Sequence, residues 1–399
     1  MQVQIFDIII SGTDIVGLTL ACALANKFRV AILCNRNFEN NNVIQLSNVG
    51  VSIISIANSE FLKILHVWNN NIIRASNPYY GIECWEQNNF GKIIFDGSQL
   101  ENKHFGYIIE KKIIEEALWH RIKQLTNISL IHYRFLQNIA ISKNKVLITF
   151  DNVYSLSGSL FFAADGVHSF LRRFYSIPLF FHDHQNYILW ANIYTENIHG
   201  NIIRTVINKD GLLIFLPLND PHMCCMLWLL SFDVLQSKLS FSKEQFNTEL
   251  MLIFGVILGR CILYGTRQYS ACNIQCVKDF VQSRLVLLGD ASYTIYPLLF
   301  GYEINLCFME AKSLLEEIIR LQRQKQDIGY FCDSGSYNIK RRQEIFRLFI
   351  FINMMRTFFY GSCRVKRLMR LCSFQLINRS SCIRLRLIRK IMGFDNFVF

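Results

Sequence analysis

Proline is scarce in this chain, 5 of 399 residues, and glycine is thin at 20. Ordinary usage is roughly 5% and 7%, so positions where a motif normally demands glycine are open to replacement. The 13 cysteines are an odd number with no Cys-x-x-Cys pair and no metal-like spacing to histidine. That pattern argues against a disulfide framework and a zinc site and points to a reducing cytoplasm. No apolar run reaches the ~18 residues of a membrane span; Leu348 to Tyr360 is broken by Asn353 and Arg356. No basic segment precedes the apolar N-terminus, and Asp7 lies inside it, so a signal peptide is not expected.

What remains is a globular composition, 51% hydrophobic, long enough for two or three domains. It excludes a disordered chain, a collagen-like fibre and a small disulfide scaffold. The net charge of +12 is local: from Ser336 onward there are 14 Lys and Arg against 2 Asp and Glu, whereas residues 1–335 hold 28 of each.

Gln4 to Ser11 (QIFDIIIS) is expected as a buried strand, Ile15 to Asn26 as a helix, and Arg29 to Cys34 as a second strand. Together they form a β-α-β unit. Glu110 to Leu125 has the spacing of an amphipathic helix. From Tyr187 to Phe232, short strand-like runs separated by HGN, KDG and NDP predict an inserted antiparallel sheet. A compact strand and turn return at Arg284 to Asp290, followed by a helix over Ile304 to Arg323 and a helical tail after Ser336.

Three segments carry polar chemistry at strand ends. Gly12-Thr13-Asp14-Ile15-Val16-Gly17 keeps the outer glycines of a G-x-G-x-x-G turn. In such a turn the glycines permit a tight bend, close approach to a pyrophosphate, and helix packing on the strand. An ordinary β-α turn is the competing reading. Asp14 stands at the middle glycine, where a carboxylate is favoured by the helix dipole and would itself occupy the anion site. Repulsion at about 4 Å from a phosphate costs roughly 1 to 4 kcal/mol, a tenfold to thousandfold loss of affinity. Cys34 occupies the place of a ribose-binding acid, and nearby Arg36 is either a phosphate or ribose contact or a solvated loop arginine. The second segment is Ala164-Asp165-Gly166 with Ser169 and Arg172 beyond it. The third is Gly289-Asp290-Ala291, followed by Thr294, Pro297 and Asn305. Asp290 is suited to accept a hydrogen bond from a polyol hydroxyl, and a following helix N-terminus to stabilise negative charge.

Taken in this order, these segments resemble the flavin-dependent aromatic hydroxylases of the para-hydroxybenzoate hydroxylase fold, and within them the ubiquinone-biosynthesis branch acting on polyprenylphenols. The resemblance spans the chain: IVGLTLACAL, YYGIECWEQNNFGKIIFD, GYIIEKKIIEEALW, AADGVHSFLR, FLPLNDPHMC, RLVLLGDASYTIYPL, INLCFMEA and LIRKIMGF. It implies an α/β fold: a Rossmann-like FAD-binding domain (residues 1–80, 106–180 and 270–335), an inserted, mainly antiparallel substrate domain (81–105 and 181–269), and the basic helical segment 336–399. FAD would be held by Gly12, Gly17, Arg36, Asp165, Gly289, Asp290, Pro297, Gly301 and Asn305.

The implied reaction is hydroxylation of a 2-polyprenylphenol ortho to its hydroxyl, by way of a flavin hydroperoxide. The partners would be O₂, NAD(P)H or a reductase, a membrane surface and other ubiquinone-biosynthesis proteins, without nucleic acid. The setting would be cytoplasmic, peripheral on the inner membrane. No acid–base side chain is assigned to the oxygen transfer. The sequence departs from the family pattern at Asp14 (Gly), Cys34 (acid), Gly50 (Arg), Tyr293 (His) and Glu303 (Gly), and the Pro297 to Gly301 stretch is one residue longer. Those departures keep open an alternative: a cofactor-poor relative serving as a structural subunit of a ubiquinone-biosynthesis assembly.

The tail has three readings. It is a pair of packed helices with solvated arginine faces; or a membrane-surface element with Ile383, Leu387, Ile388, Ile391 and Met392 on one side and Arg386, Arg389 and Lys390 on the other, with Arg384 inside the apolar arc; or a nucleic-acid contact, for which no recognition motif is present.

Overall fold

The computed structural model describes residues 3–35, 50–87, 91–97, 100, 104–150, 154–295, 303–329, 335–359 and 363–393. Its first layer is a six-stranded sheet in the order Val281–Gln282, Leu285–Leu287, Leu160–Ala163, Ile8–Ser11, Val30–Asn35, Ile128–Tyr133. All pairings in it are parallel except the antiparallel one between the first two strands. The central strands read IIIS, LFFA and LVL and are buried throughout, as expected of strands covered on both faces. The helix Ile15–Leu24 is itself buried along its whole length, and Lys111–Gln124 and Glu303–Arg323 pack against it.

The expected first strand divides in two at Asp7: Val3–Ile5 pairs with Tyr154–Gly158, while Ile8–Ser11 joins the parallel sheet. The division follows from Asp7, whose side chain accepts from the Arg29 N–H at 2.8 Å and cannot continue an apolar strand.

The second layer is an eight-stranded sheet with Leu179–Thr195 and Cys261–Val277 as long, paired strands, flanked by Met223–Ser231, Gly211–Pro217, Ile202–Ile207, Gly81–Glu86 and Lys92–Asp96. Residues alternate between its faces. Val206, Leu213, Phe215, Met226 and Trp228 pack with the helix Lys243–Leu258. Ile207, Leu212, Ile214, Leu227 and Leu229 belong to the main core. The long strands reach past the boundaries expected from sequence, to Leu179 at one end and Val277 at the other, and Tyr293–Thr294 adds a last pair.

The tail folds into three helices, Ser336–Phe359, Arg364–Arg379 and Ser381–Ile391, where sequence suggested a pair. They are fastened to the body by buried charge. Arg370 donates to both oxygens of Glu86, at 3.1 and 2.8 Å. Arg341 meets Glu310 at 3.0 Å and the Tyr293 hydroxyl at 2.9 Å. At the far end, the Ala57 N–H donates to the Met392 carbonyl at 3.2 Å. The apolar side of Ser381–Ile391, expected under one reading to meet a membrane, faces inward instead: Ile388 and Met392 are buried, Leu387 and Ile391 pack on the core, and Arg384 donates to the Ile94 carbonyl at 3.0 Å.

Candidate active site

Strand register brings the three polar segments together. Ser11 pairs with Leu33 and with Ala163, and Ala163 pairs with Leu287. Gly12, Asp165 and Gly289 therefore leave the sheet side by side at its carboxyl edge, next to the last paired residues of Val30–Asn35, Cys34 among them, where open α/β sheets bind ligands. Gly12 has φ +107°, and a Cβ there would lie 1.8 Å from the Ala164 carbonyl oxygen. A Cβ on Gly17 would meet the Ala164 methyl at 2.9 Å, so the two outer glycines allow the helix to close onto the neighbouring strand.

Asp14 is the N-cap of that helix, its Oδ1 accepting from the Gly17 N–H at 3.0 Å. A carboxylate thus sits among the helix N-terminal donors. Across the cleft, a Cβ on Gly289 would lie 3.7 Å from Asp14 Oδ2. Gly289 opens the 3-10 turn Gly289–Ala291 and donates its N–H to Glu310 at 3.1 Å. Arg172 ties this turn to the second segment through the Ala291 carbonyl at 2.8 Å, and Ser169 caps its short helix by accepting from the Arg172 N–H at 3.0 Å. Asp165 Oδ2 accepts from the Leu171 N–H at 3.2 Å, while its buried Oδ1 makes no hydrogen bond among the described residues.

Asn305 is buried and fully engaged inside the fold. Its Oδ1 accepts from Ser55 N at 2.9 Å and Asn58 Nδ2 at 2.8 Å, and its Nδ2 donates to the Ile53 carbonyl at 2.6 Å. It holds the helix Glu303–Arg323 against the strand Val51–Ser55, so its side chain serves the fold before any ligand. Cys34 is buried, with Sγ 3.9 Å from the Ile32 carbonyl. At Gly50 a Cβ would meet only open space, with no atom within 4 Å among the described residues. Arg36, Pro297 and Gly301 lie outside the described residues.

The electrostatics add a residue that sequence reading passed over. Lys111, at the start of the helix Lys111–Gln124, interacts with Asp290, Asp14 and Glu303 together. Enclosure works against its charge, but Asp290, Glu115 and Asp14 outweigh that and raise its pKa. The carboxylates are not fully compensated. Loss of solvation, with Asp290 adding to it, pushes Asp14 up to about 8, against the lowering effects of the Gly17 N–H and Lys111. Loss of solvation and Asp290 likewise push Glu303 up to about 7. Asp290 and Asp165 are also raised, chiefly by desolvation. The Lys-Lys pair following GYIIE was the available signal, but which lysine turns inward depends on the strand Gly106–Glu110 and the helix phase.

No family model matches the chain. Among curated proteins, it is 24% identical to the 3-demethoxyubiquinol 3-hydroxylase of Escherichia coli K12, over 90% of this chain and 91% of that one. It is 21% identical to the ubiquinone biosynthesis monooxygenase COQ6 of Danio rerio, covering 94% and 87%. Among solved structures, it matches the p-nitrophenol 4-monooxygenase PnpA of Pseudomonas putida DLL-E4 with a TM-score of 0.76 and 14% identity, over 100% of both chains. It also matches PqsL of Pseudomonas aeruginosa, a probable FAD-dependent monooxygenase, with a TM-score of 0.71 and 13% identity, over 93% of this chain and 100% of that one.

In sequence the chain is similar to ubiquinone-pathway hydroxylases, and in fold to flavin-dependent monooxygenases.

The similarity implies FAD as cofactor, and the frame of the cleft fits it. The Gly12 turn is open only to glycine, the helix N-terminus stands beside it, and Asp165 presents a buried oxygen with no hydrogen bond among the described residues. Asp14 opposes the fit, since its carboxylate takes a helix donor that a diphosphate would use.

Proposed function

We propose that this monooxygenase hydroxylates the aromatic ring of a polyprenylated phenol, ortho to its hydroxyl, in ubiquinone biosynthesis. The observation that carries the reading is the convergence of Gly12, Asp165 and Asp290 at one sheet edge in a chain related over nine-tenths of its length to a ubiquinone-pathway hydroxylase. When bound, FAD supplies the redox chemistry that activates O₂, with electrons from NAD(P)H or a reductase. Gly12, Gly17 and the helix they begin would hold the diphosphate; Asp290 and Asp165 would accept hydrogen bonds from its polyol hydroxyls, and the Lys111 ammonium would offset negative charge in the cleft. Arg36, Pro297, Gly301 and Gly289 complete the proposed set. Asn305 acts by positioning, through Ser55 and Asn58. A bilayer is the source of a polyprenylated substrate, and other ubiquinone-biosynthesis proteins are its neighbours.

A second reading, a cofactor-poor structural subunit, is favoured by the Asp14 carboxylate on the Gly17 N–H. Supplying FAD, a reductant and a short-chain 2-polyprenylphenol separates the two. An ortho-hydroxylated product supports the enzyme. A folded protein that holds FAD yet yields no product with any reductant overturns the substrate assignment, and one that never takes up FAD favours the subunit.

A further inference from the structure

The second tail helix is inside out. Its body-facing side carries Arg370 on Glu86 and the buried Phe374. Its outer side carries Val365, Leu368, Met369 and Leu376, each more than half exposed. These four fall at i, i+3, i+4 and i+11, one continuous stripe. The first tail helix repeats the arrangement, with Ile339, Phe346, Ile350 and Met354 exposed at i, i+7, i+11 and i+15 while Ile345, Leu348 and Ile352 are buried. A helix whose arginine faces the protein and whose leucines face solvent is not satisfied by the fold it belongs to.

Charge decides what covers the stripes. Exposed Arg342 and Arg347 flank the first, and exposed Arg364 and Arg379 stand at the two ends of the second helix. These four exposed cations would meet their like in a second copy seated on the same faces. No helix among the described residues is long and apolar enough to cross a membrane, which leaves attachment in the plane of the interface.

We propose that the outer faces of the first two tail helices are a docking surface for an anionic lipid bilayer, with the apolar stripes entering the headgroup boundary and the flanking arginines pairing with lipid phosphates. This moves the contact away from the Ile383 to Met392 side, which the core already occupies. It deepens the reading that the substrate comes from a bilayer and rests on it.

The test is co-sedimentation of the full-length protein with phosphatidylcholine vesicles, with and without phosphatidylglycerol. The wild type should bind the anionic vesicles and far less of it the neutral ones. Arg342→Gln with Arg347→Gln should weaken binding about fivefold per cation removed. Leu368→Gln, Met369→Gln and Leu376→Gln together should weaken it at least as much, with the helical circular dichroism signal unchanged because glutamine keeps helix propensity. Wild-type binding that ignores phosphatidylglycerol, or a triple variant that binds as wild type does, overturns the proposal. So does a wild type that binds no vesicle but self-associates in sedimentation velocity in a way the triple variant abolishes, which assigns the stripes to a second copy. Hydroxylation of detergent-dispersed substrate, measured on the same triple variant, separates the outcomes: it should persist when docking is lost, and its absence in the wild type would count against the substrate reading alone.

Discussion

Two regions of this molecule bury charge, and they do it differently. Where the tail meets the body, charges are matched: Glu86 lies between Arg370 and Arg367, at 2.8 and 3.3 Å, with little contact to water. In the cleft, Asp14, Asp290 and Glu303 share Lys111, and desolvation then raises all three carboxylates. Matched charge fastens one segment to another. Unmatched charge leaves a field that a ligand or a proton must complete, which is the signature of a site.

Breaking the matched region should have the largest effect. Arg370→Met leaves Glu86 facing buried surface with its main partner gone, and should cost about 3 to 5 kcal/mol of stability in chemical denaturation. A loss below about 1 kcal/mol would mean the pair is solvated and the tail loosely held. In the unmatched region, Asp14→Gly should tighten FAD roughly tenfold to a thousandfold in a fluorescence titration above about pH 8, where the Asp14 side chain is ionised. Glycine keeps most of an N-cap's stability, so the helix should survive. Unchanged affinity would show that the carboxylate turns aside when the cofactor enters.

The cleft should also respond to pH with a definite sign. Because the Asp14 pKa is raised in the folded state, the folded protein binds more protons than the unfolded chain between the ordinary carboxylate range and about 8. Its contribution to stability is full below that window and lost as pH rises through it. Glu303 acts the same way, up to about 7. Asp14→Asn should therefore flatten the fall of the melting temperature with rising pH; a slope identical to wild type would remove Asp14 as its cause. The smallest effect belongs to a charge in neither region. Glu116, 3.9 Å from Lys112 with both side chains mostly exposed, should cost no more than about 0.5 kcal/mol on change to alanine.

Much of the cleft was legible in the sequence because sterics write it there. Gly12 and Gly17 are required by close contacts to Ala164, and Asp165 and Asp290 each follow a short apolar strand. Lys111 was not legible, since Asp14, Asp290 and Glu303 lie roughly 100 to 200 residues away in the chain and meet it only through strand order. The strand Leu179–Thr195 begins eight residues before the Tyr187 start that the sequence predicts, and runs through HDHQN with a shift of register between Asp183 and Tyr187. The tail misled for a physical reason. Periodicity reports which face is apolar but not which face is buried, and here a buried ion pair, not the leucines, sets the orientation of the second tail helix.

The central claim, that this unmatched cleft still takes a flavin, is tested most directly by titrating the purified protein with FAD and following the visible spectrum. Saturable uptake approaching one flavin per chain, weaker above about pH 8 than below it, is the expected result. A folded, colourless protein whose spectrum never departs from that of free FAD, at any pH or excess, would contradict it.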